Sequence, residues 1–193
     1  MSDPIKWIVP PNRISYARIR WADCPRWIQR EFGVHRDLFK LLHPYAFLWR
    51  DYFISVKAGT ISDLASGMHL IPRRIAARTQ HNNWLDHGAH VHDMGHLGVA
   101  RFPDVPEGRQ QCHMFDRLMY DLWQDQYVDR PRIGRFRRWY QRGQPMRKYL
   151  LVRAASVVLW SPDYRNEDPS WMSITKICPA KQVKVIDEEV VTG

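Results

Sequence analysis

Three cysteines in 193 residues, Cys24, Cys112 and Cys178, are too few, too widely spaced and too odd in number for a disulfide framework or the close thiolate pairs of a zinc knuckle. They read as free thiols. No stretch approaches the ~18 consecutive apolar residues that a bilayer span requires, although 45% of the chain is hydrophobic, so those side chains are expected in a water-soluble core. The start, Met1-Ser2-Asp3-Pro4-Ile5-Lys6, lacks the basic and then apolar pattern of a secretory signal, which predicts a cytoplasmic location. Acidic residues are in the minority, 20 against 29 Lys plus Arg, and the resulting charge of +9 favours polyanionic partners without reading nucleic-acid bases. No internal repeat is visible. Tryptophan is plentiful instead: nine large amphipathic rings suit buried or interfacial positions.

Along the chain, residues 25–42 carry Trp27, Ile28, Phe32, Leu38, Leu41 and Leu42 at rough helical spacing, which predicts a helix-rich lead-in over 1–49. Residues 51–59 combine β-branched and aromatic side chains with a terminal glycine and predict a strand in a short hairpin. A short helix is expected over 71–79. A central one is expected from Gly88, with Ala89, His92 and His96 on one stripe. Pro103 and Pro106 then break the helix, and 109–128 runs free of proline and glycine with apolar positions three to four apart, the clearest helical signal in the chain. A basic connector over 130–148 includes Arg132, Arg135, Arg137 and Arg138 interleaved with Phe136, Trp139 and Tyr140. It is followed by an apolar helix over 149–160 and a polar tail over 161–193, with an edge strand expected at 182–186.

Four side chains could carry chemistry. If the two helices are antiparallel neighbours, His92 can face Asp116, and a carboxylate accepting from one imidazole nitrogen makes the other a base. Asp93 leaves the helix about 100° from His92 and could join Asp63 in holding a hard cation through oxygen. The alternative use of His92 and His96, one helical turn apart, is as transition-metal ligands such as those of zinc, with His90 or His113 nearby. A structural reading stands beside both, because Asp63, His92 and Asp116 could form a buried hydrogen-bonded knot.

The stretch Val56-Lys-Ala-Gly59-Thr-Ile-Ser-Asp63-Leu-Ala-Ser66, followed by Ala89-His-Val-His92-Asp93 and Asp116-Arg-Leu-Met-Tyr120, resembles the phage and prophage family called domain of unknown function 1353, over roughly residues 50–160. More distantly, the pattern is similar to the phospholipase A2 arrangement of prokaryotic secreted enzymes. That likeness implies Asp63 and Asp93 as calcium ligands assisted by the Leu64 carbonyl, His92 as base, Asp116 as its orienting partner, and a phospholipid-like ester as substrate. The chain departs from it in lacking disulfide cysteines and in carrying His96 and Met68 where a tyrosine and a proline are expected.

Val91-His92-Asp93-Met94-Gly95-His96 also looks like the central metal motif of the His-Asp phosphohydrolases, for which His69 and Asp121 or Asp125 are the remaining candidates. The resulting expectation is a mainly α fold: a small β-hairpin, two antiparallel site helices and a C-terminal helix, with a phospholipase A2-like core. Its segments are a lead-in over 1–49, a His-Asp core over 50–160 and a tail over 161–193. The expected function is metal-assisted ester hydrolysis with calcium, in a host-cytoplasmic or virion-associated phage protein. The alternatives are a non-enzymatic virion or tail component and a His-Asp phosphohydrolase. Expected partners are other virion proteins or an anionic lipid surface, with non-specific contact to nucleic acid through the four connector arginines.

Overall fold

A computed structural model of the chain describes residues 4–11, 16–32, 38–64, 86–128, 149–150, 153 and 170–177. Among them are seven strands in two antiparallel sheets and three α-helices, which overturns the expectation of a mainly helical, phospholipase A2-like core. The fold is mixed and rich in sheet.

The first sheet is built on the run Tyr45-Ala-Phe-Leu-Trp49. Its residues are nearly all buried, as in a strand covered on both faces, so it shows none of the alternation that marks a half-exposed strand. As β4 (Tyr45–Trp49) it pairs with β1 (Ile5–Val9) on one side and β5 (Tyr52–Val56) on the other. The β4–β5 hairpin closes through Arg50 and Asp51, with Arg50 in the left-handed region at φ 55°. The outer partner of β5 is β7 (Met172–Lys176), aligned from Tyr52 opposite Lys176 to Val56 opposite Met172. The second sheet orders β2 (Tyr16–Ile19), β3 (Leu38–Leu41) and β6 (Ile61–Ser62). The strand expected over 51–59 therefore exists, but its hairpin partner precedes it, while the segment after Gly59 crosses to the other sheet.

The lead-in is also less helical than its apolar spacing predicts. Among the described residues of the lead-in the one α-helix is α1 (Arg26–Phe32), after a 3-10 turn at Trp21–Asp23, and Leu38, Phe39 and Leu41 are buried from β3. The reason is that the apolar residues at 38, 39 and 41 serve a buried strand, while Leu42, which completes the helical spacing, lies past its end and is exposed. The four-stranded sheet draws on the lead-in through β1 and β4 and on the tail through β7.

Two helices lie over these sheets: α2 (Asp86–His96) and α3 (Arg109–Val128), the second with the limits its pattern predicts. They are antiparallel, since Gly88 of α2 meets Met119 and Trp123 of α3, whereas Gly95 meets Phe115. The loop between them is held by Gln111, whose side chain accepts from the Phe102 amide at 2.9 Å and donates to the carbonyls of Phe102 and Val105 at 2.8 and 2.7 Å. Phe102 is thereby fixed between Trp49, Tyr52 and Phe115, with ring centroids 5.8, 5.0 and 5.0 Å away.

Tryptophans of the first sheet anchor α3 from beneath: Trp49 Nε1 donates to Asp121 Oδ2 at 2.9 Å and Trp7 Nε1 to Asp125 Oδ2 at 2.7 Å. Trp49→Phe is expected to lower stability by ~2 kcal/mol, because it removes a donor from a buried carboxylate. Chemical denaturation checks this, and a change below ~0.5 kcal/mol would contradict the anchoring role. Tyr149, Leu150 and Arg153 are helical, while the rest of 149–160, the expected helix 71–79 and the expected strand 182–186 lie outside the described residues. Among the described residues no helix is long and apolar enough to cross a membrane.

Candidate functional site

Helix α2 has two faces because successive residues project about 100° apart. His92 points toward α3 and Asp93 toward β6. The contacts follow that division: His92 Nε2 lies 3.0 Å from Asp116 Oδ1, while Asp93 Oδ2 accepts a short hydrogen bond from the Ser62 hydroxyl. Both partners of the His92–Asp116 pair are 0% exposed. The ring of His96, one turn on, sits 4.7 Å from that of His92.

The second oxygen of Asp116 is engaged as well. Arg153 Nη1 donates to Oδ2 at 2.6 Å, and the Cys112 thiol points to the same oxygen at 3.6 Å. Burial opposes a charge on Asp116, but the hydrogen bonds and charges of His92 and Arg153 together outweigh it and hold the carboxyl below the ordinary aspartate value. The same bond raises the Arg153 guanidinium further above its already high value. The order is therefore arginine, carboxylate, imidazole, with Nε2 directed at the acid and Nδ1 on the far side of the ring.

At the other face, Ser62 closes a tight turn: its hydroxyl accepts from the Leu64 amide at 2.9 Å, and Leu64 adopts the left-handed region at φ 53°. Asp63 lies inside that turn and is buried. Thus the structure pairs His92 with Asp116, and brings Asp93 to the residue preceding Asp63. Asp63, Asp93 and Leu64, the residues expected to bind calcium, therefore lie at this face of α2, where Ser62 bonds to Asp93 and to the Leu64 amide.

His90, one of the expected zinc ligands, is engaged elsewhere. Both ring nitrogens of His90 are taken, Nε2 by the Thr60 hydroxyl at 2.9 Å and Nδ1 by Tyr16 at 3.0 Å. His113 is on the exposed side of α3, where partial burial first and the Arg153 charge second lower its pKa. Among the described residues no group of three or more His, Cys, Asp or Glu is placed to hold a metal ion. Of the phosphohydrolase candidates, Asp121 and Asp125 are tied to the tryptophans of the sheet, and His69 lies outside the described residues. Arg132, Arg135, Arg137 and Arg138, the expected polyanion contacts, also lie outside them.

Three participants were not expected: Arg153, Ser62 and Cys112. Arg153 had a signal, a lone charge within the apolar stretch 149–160. Ser62 and Cys112 had none, since a serine before an aspartate and a cysteine one turn before another are commonplace. Compared with known protein families, characterised proteins and solved structures, the chain matches none of them.

Proposed function

We propose that His92 and Asp116 are the general-base dyad of a hydrolase acting on a phospholipid-like ester, in a phage- or prophage-type protein. The observation that carries this reading is the 3.0 Å contact of His92 Nε2 with a carboxylate whose other oxygen is held by Arg153. With the proton on Nε2, the lone pair of His92 resides on Nδ1 and can remove a proton from water. The water oxygen bonds to the ester carbonyl carbon. The imidazolium, stabilised by ionised Asp116, then returns its proton to the leaving alkoxide as the carbon–oxygen bond breaks. Calcium bound by Asp63, Asp93 and the Leu64 carbonyl would supply positive charge to polarise that carbonyl. The phage assignment rests only on the sequence resemblance of the three short segments 56–66, 89–93 and 116–120. The connector arginines would contact an anionic lipid surface or a neighbouring virion protein.

The expected result is that purified protein hydrolyses mixed phospholipid vesicles in the presence of calcium, that chelation removes the activity, and that His92→Asn lowers it by about 1000-fold. Unchanged hydrolysis in His92→Asn would refute the proposal.

The complete burial of His92 and Asp116 favours a second reading, in which the pair is a structural knot in a non-enzymatic virion or tail component. That reading expects no turnover and no bound metal in the wild-type protein, and a loss of stability and assembly in Asp116→Ala.

A further inference from the structure

Arg153 is a long cationic side chain that is one-third exposed, yet its guanidinium ends on a carboxylate with no exposure at all. The bond is short, 2.6 Å, and joins residues 37 positions apart in the chain, so it is a tertiary contact from a separate segment rather than a helical side-chain pair. Asp116 is thus bracketed, with the imidazole on Oδ1 and the guanidinium on Oδ2. We propose that Arg153 is the positioning residue of this dyad: by clamping Oδ2 it keeps Asp116 an acceptor toward His92 Nε2 and so leaves the lone pair of the imidazole on Nδ1.

The argument rests on what a buried carboxylate does without a cation. An ionised acid withdrawn from water and stripped of its positive partner takes up a proton. A protonated Asp116 would donate its hydroxyl to Nε2 instead of accepting from it. The imidazole proton would then move to Nδ1, the nitrogen a base must keep unprotonated. Burial favours the protonated acid and the partners favour the charged one, and the balance at Asp116 lies with the partners. Cys112 shares Oδ2 at 3.6 Å but carries no formal positive charge and cannot replace the guanidinium. Arg153 does not reach the reacting nitrogen; it acts through Asp116.

This inference deepens the hydrolase reading, and its test separates the two. Long-range proton–nitrogen spectra of protein labelled with isotopic histidine report the His92 tautomer directly, the signal being assigned by its loss in His92→Asn. Wild type and Arg153→Lys should show the proton on Nε2. Arg153→Met and Arg153→Gln should show it on Nδ1, although glutamine can still donate a hydrogen bond. Wherever ester hydrolysis is measurable, the Met and Gln variants should also lose about 100-fold at neutral pH, with substantial recovery in Arg153→Lys. Retention of the Nε2 proton in whichever of the Met and Gln variants is folded would overturn the proposal, as would its loss in Arg153→Lys. Absence of hydrolysis in the wild-type protein would remove the enzymatic reading alone, because the tautomer is read without turnover.

Discussion

Moving the protein from pH 7.5 to pH 5.0 is expected to remove ~4 kcal/mol of folding stability, the largest effect that the described residues imply. The origin is a pair of imidazoles on α2 that the fold keeps neutral. Burial pushes His87 down to about 4, and burial followed by the proximity of His87 pushes His90 down to about 3. The unfolded chain protonates both near 6.5. Between that value and the lowered ones the unfolded state binds more protons than the folded state, so stability rises with pH and is lost as pH falls. Each histidine contributes ~1.4 kcal/mol per pH unit below 6.5, and at pH 5.0 neither is appreciably charged in the folded state. The pair therefore costs ~2 kcal/mol per residue at that pH.

Neutrality is imposed by the surroundings. Thr60 and Tyr16 occupy the two nitrogens of His90, the Tyr45 hydroxyl lies 3.4 Å from Nδ1, and the rings of Tyr16 and Tyr45 stand 5.4 and 5.1 Å from His87. No carboxylate takes part in these contacts. Asp116 adds nothing above pH 5, because its pKa lies below the ordinary aspartate value and its contribution is lost only as pH falls through that lower value. Urea unfolding measured at half-unit steps should give a slope approaching ~2.7 kcal/mol per pH unit, the two-proton value, between pH 6 and pH 5. A flat curve over that interval would show that neither imidazole is held neutral.

The elements that could be read from the sequence are those whose stability is local. The limits of α3 follow from an uninterrupted apolar period bounded by Gly108 and by the basic connector. The sheets escaped for the opposite reason. β4 is buried on both faces and has no period to detect, and β7 is stabilised by β5, more than a hundred residues earlier, so nothing in Met172-Ser-Ile-Thr-Lys176 announces the pairing. The helical expectation over 25–42 failed where Leu38 and Leu41 answered to Tyr16 and Ile19 across β2 and β3 instead of to Phe32.

The site divides along the same line. His92 and Asp116 were legible as a pair because both sit on recognisable helices that a short loop makes antiparallel. Ser62 reaches Asp93 from a two-residue strand and Arg153 reaches Asp116 from a segment after the connector, distances over which spacing carries no information. The charge of Arg153 gives no sign that its tip ends on a buried carboxylate.

Gly95→Ala is expected to cost ~2 kcal/mol and to separate His92 from Asp116, though alanine is the better helix former. A Cβ built at this position would lie 2.5 Å from both Cγ and Cδ2 of Phe115, closer than real Cβ contacts allow. The obstacle is a ring plane, fully buried and backed by Phe102 at 5.0 Å, so it cannot swing aside as the end of a flexible side chain would. Relief must come from parting the helices. Overpacking on this scale costs ~3 kcal/mol or more, and the ~1 kcal/mol that alanine gains over glycine in a helix offsets only part of it. Asp116 follows Phe115 directly and His92 lies one turn before Gly95, so the same displacement lengthens the 3.0 Å contact between them. Gly88, against Trp123 and the Met119 carbonyl, sets the approach at the other end of α2, which fixes the hinge of that movement. Shrinking the obstacle should reverse the effect: Phe115→Leu introduced into Gly95→Ala is expected to recover at least ~1 kcal/mol, although the same change in the wild-type background destabilises by opening a void. Denaturation of the two single variants and the double variant closes the cycle, and a Gly95→Ala protein within ~0.5 kcal/mol of wild type would mean that close helix contact is not what brings imidazole to carboxylate.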